Sequence, residues 1–107
     1  MEDPNKAIDF LFNNGKKLAK AKAERIYLEE YRKSLKAILM KESIEQTVNA
    51  QEREAYSDSR YVDLLKGLKE AVEAEEELRW ALVAAQARIE VWRSMEATNR
   101  AEGKATL

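Results

Sequence analysis

Apolar residues recur along this chain at alternating steps of three and four, the spacing that lines one face of an α-helix. The pattern is longest in the second half. Positions 61, 64, 68, 71, 75, 78, 82, 85, 89 and 92 read Tyr, Leu, Leu, Ala, Glu, Leu, Leu, Ala, Ile and Trp. Only Glu75 interrupts this run of more than four heptads, which is the signature of a coiled-coil seam. It predicts a long helix over about 60–100, followed by a frayed tail at 101–107. A second stripe runs beside the first through Leu65, Val72 and Val83. Trp80, Ala84, Ala87 and Val91 add a third. Between Leu78 and Trp92 the helix is thus apolar on most of its circumference, which calls for cover from more than one neighbour.

The first half is less regular. Asp3-Pro4 is a helix start, with Asp3 as the cap and Pro4 at the first helical position. Ala7, Ile8, Leu11 and Phe12 follow on one side, and Asn13-Asn14-Gly15 offers a stop because Asn and Gly tolerate a left-handed C-terminus. These features predict a short helix over 4–13. From 16 to 56 there is no glycine or proline, so a second helix is predicted there. Its stripe of Leu28, Tyr31, Leu35 and Ile38 weakens and continues in a shifted phase through Ile44, Val48, Gln51 and Ala55. Ser57-Asp58-Ser59 supplies three capping-type residues in a row, and a turn is expected there.

The resulting expectation is a single all-α domain over 1–107. It is a long antiparallel, coiled-coil-like helical hairpin with a short N-terminal helix, assembling into an oligomeric bundle. Folding about residue 58 would set Leu35 near Trp80 and Leu28 near Glu90. The candidate self-association stripe is Leu64, Leu68, Leu78, Leu82, Ile89 and Trp92. Trp80 lies off that stripe and is the candidate anchor for a partner, since large aromatic side chains dominate interface energetics.

Composition sharpens this picture. Ala, Glu, Lys, Leu and Arg make up 62 of the 107 residues, with three Gly and one Pro, a balance typical of long helices. The net charge is −1, yet residues 15–41 carry +6 and residues 70–77 carry −5. Lys16, Lys17, Lys20, Lys22 and Arg25 are therefore candidate nucleic-acid contacts, continued by Arg32, Lys33 and Lys36, with Tyr27 and Tyr31 near enough to stack on bases. A solvated face partly balanced by Glu24, Glu29 and Glu30 is the plainer reading of the same residues.

Enzymatic chemistry finds little support. There is no His and no Cys, so serine has no histidine base, and zinc and disulfide chemistry are excluded. Glu70, Glu73, Glu76 and Glu77 share a helix face, and Glu42-x-x-Glu45 and Glu73-x-x-Glu76 echo the Mg²⁺-binding pairs of all-α nucleotide pyrophosphohydrolases. A second motif ending in Asp is missing, and a solvated acidic face is the simpler account. A metal-dependent nucleotide hydrolase is thus the third-ranked reading. The chain is expected to be a non-enzyme without cofactor, metal or small-molecule substrate. With no apolar run of about 20 residues and no signal-peptide pattern, it is expected in the cytoplasm and away from membranes.

The strings Glu52-Arg53-Glu54-Ala55-Tyr56, Leu78-Arg79-Trp80 and Ala85-Gln86-Ala87-Arg88-Ile89-Glu90-Val91-Trp92-Arg93 resemble small helical proteins encoded by phages and prophages of Gram-negative bacteria. The resemblance covers about the C-terminal half. That family has no established activity, and its genes tend to lie among early phage genes for DNA metabolism and recombination. The resemblance therefore implies an accessory protein whose protein partner works in DNA metabolism, and it transfers no catalytic or binding residue.

Overall fold

The computed structural model describes residues 3–106 and is all-α. Three helices follow one another: α1 over Pro4–Glu42, α2 over Val48–Ser57 and α3 over Ser59–Thr106. Two compact units are distinguished within the chain, and in the Ala19–Glu75 unit α1 and α3 run antiparallel to each other. One joins the chain up to Leu18 to the part from Glu76 onward, and the other is Ala19–Glu75.

The stop expected at Asn13-Asn14-Gly15 does not occur, and the predicted helices 4–13 and 16 onward are one continuous α1. The Asn14 side-chain amide donates to the Phe10 carbonyl at 2.8 Å, so it is satisfied inside the helix rather than ending it. None of the glycines has a positive φ. Without a left-handed residue, no C-terminal capping motif can form.

The predicted 16–56 helix breaks instead at residues 43–47. Ser43 and Thr47 make the break. The Ser43 hydroxyl donates to Glu54 at 2.8 Å and accepts from the Glu45 N–H at 3.1 Å. Thr47 has extended backbone, and its hydroxyl accepts from the Ala50 N–H at 3.2 Å, which caps α2. The break at 57–59 is present but consists of Asp58 alone. Asp58 ends α2 and starts α3: its carboxylate accepts from the Arg60 N–H at 2.8 Å, and its carbonyl accepts from Tyr61 and Val62. The Arg60 guanidinium beside it holds the Asp58 carboxyl below the usual range. Arg60 also reaches Glu42 at 2.8 Å, tying the end of α1 to the start of α3. The last expected boundary moves too, since α3 is helical through Thr106 rather than frayed from 101.

Chain reversal is therefore spread over α2 and its two links, and its centre lies near residue 50 rather than 58. The pairs Arg25–Glu75 and Glu42–Arg60 have midpoints at residues 50 and 51. Leu35 accordingly packs with Tyr61 and Leu64, not with Trp80.

In the Ala19–Glu75 unit, Leu35, Leu39, Ala55 and Tyr61 form a buried cluster, with Met40 and Leu64 packed against it. The Tyr56 ring meets Tyr61 edge-on at 5.2 Å. Lys36 lies 4.8 Å from the Tyr56 ring centre and bonds Glu52 at 3.1 Å. The helix α2 thus roofs the end of the hairpin, and Ala55 is its buried point of contact.

This cluster holds the buried hydrophobic residues described in that unit, so truncating it should weaken folding where truncating exposed residues does not. Leu39 is 4% exposed and Ile44 is 93% exposed. We expect Leu39→Ala to lower the unfolding free energy by about 2–5 kcal/mol. Ile44→Ala should stay within about 0.5 kcal/mol of wild type. Urea denaturation followed by circular dichroism measures both, and equal losses would contradict this core.

Candidate interaction surfaces

The predicted heptad stripe of α3 is the face covered within one chain. Tyr61 and Ala85 are buried, and positions 64, 68, 71, 75, 78, 82, 89 and 92 are half-buried. The six residues read as a self-association stripe, Leu64, Leu68, Leu78, Leu82, Ile89 and Trp92, therefore already have cover from their own chain. The covered stripe of α1 is Ala7, Leu11, Asn14, Leu18, Ala21, Arg25, Leu28, Leu35 and Leu39. It also steps by three and four, apart from the step of seven past the exposed Arg32. Sequence reasoning missed most of it because Asn14 and Arg25 break its apolar character. It named Ala7, Leu11, Leu28 and Leu35 correctly but set Ile8, Phe12, Tyr31 and Ile38 beside them, which are all exposed.

Two of those interruptions answer each other. Arg25 stands in the α1 stripe and Glu75 in the α3 stripe, and they form an ion pair. The Arg25 Nε donates to one Glu75 oxygen, and Nη2 lies 3.3 Å from the other. Nη1 binds Glu29 at 3.1 Å, one turn along α1. The side chains are 24% and 14% exposed, so the pair sits within the seam rather than on the surface. The hydrogen bonds that Arg25 donates to Glu75 and then to Glu29 raise its pKa further above its already high value. Arg25 is thereby engaged internally, while Lys16, Lys17, Lys20 and Lys22, and Arg32 further on, remain exposed without an ion pair among the described residues. Tyr27 and Tyr31 stack on each other at 6.0 Å.

Further along the basic segment, Arg32, Lys33, Lys36, Tyr56 and Tyr61 line an open cleft of about 450 Å³ in the Ala19–Glu75 unit. The acidic residues do not converge. Glu70, Glu73 and Glu77 are exposed, and Glu76 binds Arg79 at 2.7 Å. Among the described residues no group of three or more carboxylates is gathered where a metal ion could be held.

The unit containing both chain ends carries an apolar groove of about 410 Å³. Ala7 and Ala85, both buried, form its floor. Phe10, Val91, Trp92 and Met95 form its walls, and Asp3, Lys6 and Arg88 stand at its rim. Trp80 is separate from the groove. It is 61% exposed and carries the Arg79 guanidinium 5.1 Å from its ring.

Compared with protein-family models, with curated proteins and with solved structures, the chain matches none of them. Among the described residues no helix is long and apolar enough to cross a membrane.

An ion pair inside an apolar seam makes a distinctive prediction. Removing one partner leaves a desolvated charge, whereas replacing both by apolar residues of similar size does not. Arg25→Leu and Glu75→Leu should each lower the melting temperature by several degrees. The double variant should return to the wild-type value or above it. A double variant as unstable as the two single losses combined would contradict the pairing.

Proposed function

We propose that this chain is a non-enzymatic, self-associating helical hairpin that serves as an interaction module. The observation that carries this reading is the apolar surface left open once the seam is formed. Ile8, Phe12, Val62, Leu65, Val72, Trp80, Val83, Val91 and Met95 are all more than a third exposed, Phe12 at 86%. Singly exposed apolar residues are ordinary, but apolar surface this extensive on so thin a fold is characteristic of protein contact sites. Two helices can cover only one side of each other. The α3 stretch 78–92, apolar on three sides, keeps two of them open. The resemblance to small phage-encoded helical proteins supports a role as an accessory factor beside DNA-processing proteins, acting in the cytoplasm of the host.

Sedimentation equilibrium tests the first part. At micromolar concentrations the protein should sediment as a species heavier than its 12.3 kDa chain. A monomer at every concentration would contradict self-association.

A second reading, direct nucleic-acid binding, draws on the four exposed lysines at 16–22 and on the cationic cleft at Arg32, Lys33 and Lys36. It competes with the internal pairing of Arg25, Lys33 and Lys36 to Glu75, Glu30 and Glu52. If it holds, labelled DNA should bind with an affinity that falls steeply as salt rises. Changing Lys16, Lys17, Lys20 and Lys22 to Glu should abolish that binding. An absence of binding at low salt would end this reading.

A further inference from the structure

We infer that the cleft lined by Arg32, Lys33, Lys36, Tyr56 and Tyr61 is a binding site for a phosphate group. Three features of the Ala19–Glu75 unit carry this.

The first is the gathering of charge. Arg32, Lys33 and Lys36 stand on adjoining turns of α1 and line one open cleft of about 450 Å³. Lys36 is four residues from Arg32 and three from Lys33, so it neighbours both on the helix surface, and like charges at these spacings repel. Among the described residues no carboxylate lines the cleft. An anion seated there would relieve the repulsion.

The second is which donors are free. Arg32 is exposed and has no ion pair among the described residues, so its N–H donors are available as a planar fork. Lys33 and Lys36 bind Glu30 and Glu52 at 3.2 and 3.1 Å. An ammonium carries three donors, so one carboxylate does not exhaust it. The Lys33–Glu30 pair is also well exposed. Such a pair adds little to stability, and exchanging it for a better anion costs little.

The third is preorganisation. The remaining walls of the cleft are Tyr56 of α2 and Tyr61 of α3. Tyr61 belongs to the buried cluster, and the Tyr56 ring meets it edge-on. Lys36 is half-buried and lies 4.8 Å from the Tyr56 ring centre. Side chains fixed before a ligand arrives need less ordering when it binds.

Three cations call for more than a carboxylate. A carboxylate has two oxygens, which one guanidinium fork satisfies, whereas a phosphate has oxygens for the fork and for the ammonium groups as well. The phosphate can belong to a free phosphate compound or to the backbone of a nucleic acid. In the second case the inference rests on the nucleic-acid reading above and names its anchoring point.

Isothermal titration calorimetry at low salt tests the site with two titrants, pyrophosphate and a single-stranded oligothymidylate. Wild type is compared with Arg32→Gln and with Lys41→Gln, which removes the same charge from an exposed position of α1 outside the cleft. At least one titrant should bind wild type. Arg32→Gln should weaken that binding by about tenfold or more, the worth of a hydrogen bond to a charged group. Lys41→Gln should stay within about twofold of wild type, because a distant exposed charge is largely screened. If pyrophosphate shows this pattern and the oligonucleotide does not bind, the cleft takes free phosphate compounds and the nucleic-acid reading falls. If the oligonucleotide shows it, the cleft takes a backbone phosphate. If binding weakens alike in both variants, the attraction is diffuse and this inference falls, although nucleic-acid contact stands where the oligonucleotide was bound. If neither titrant binds, both fall. Arg32 is exposed, so its loss should leave ellipticity and melting temperature unchanged. Should Arg32→Gln unfold, Lys33→Gln serves as the second variant, and a folded Lys33→Gln protein that binds as tightly as wild type overturns the inference.

Discussion

The ion pair between Arg25 and Glu75 constrains how this hairpin is put together. Both residues occupy positions on a 3–4 stripe where an apolar side chain would ordinarily sit, and each is largely shielded from water by its own chain. Leucine seams tolerate sliding, because one leucine replaces another at little cost. A charged pair does not, since a slip leaves both charges desolvated and unpartnered. Sliding one heptad in one direction would set Leu18 opposite Glu75. Sliding in the other would bring Arg32 there, but would pull Leu35 and Leu39 away from Tyr61, against which they pack. The polar pair and the apolar cluster thus select the same register from different directions.

The charge distribution takes on a different meaning in this frame. A basic stretch at 15–41 and an acidic stretch at 70–77 look like two surfaces awaiting partners when the fold point is placed at residue 58. With the reversal centred near residue 50, Glu75 of the acidic stretch meets Arg25 of the basic one. Lys36 also turns inward, toward Tyr56 and Glu52, whose hydroxyl and carboxylate raise its pKa. A substantial part of the apparent asymmetry is therefore intramolecular. Lys16, Lys17, Lys20 and Lys22 stay exposed, but an extensive apolar surface stays open beside them, and that shifts the weight of the functional reading from nucleic acid toward protein contact.

Much of the α3 half was legible in the sequence. The run from Tyr61 to Trp92 has a strict 3–4 period and strong helix formers, and the structure uses that run as the covered face. Its break at Glu75 was the one irregularity, and it marks the ion pair. The α1 half was harder to read because Arg25 and Asn14 occupy covered positions, while Ile8 and Phe12 beside Ala7 and Leu11, and Tyr31 and Ile38 beside Leu28 and Leu35, stay exposed. The Asn-Asn-Gly stretch misled because a capping residue ends a helix only where the backbone turns, and there Asn14 bonds back to Phe10. The break at 43–47 did leave a trace, namely the phase shift of the stripe at Ile44. Ser43 and Thr47 were the capping residues to weigh beside it. The groove was beyond sequence reasoning, since it depends on which turns of α1 and α3 meet.

The most direct test of the register is a distance. Spin labels at the exposed positions Glu24 and Glu73, both in the Ala19–Glu75 unit, report it by double electron–electron resonance. A reversal near residue 50 places them almost opposite each other. With helices packed at 8–10 Å, this predicts one narrow distribution at about 15–25 Å including the label arms. Replacing Arg25 and Glu75 together by Leu should broaden that distribution or split it by about 10 Å, the rise of one heptad. A wild-type separation near or above about 30 Å, as a reversal at residue 58 would give at 1.5 Å per residue, would contradict the fold. An unchanged narrow distribution in the double variant would show that the ion pair does not hold the register.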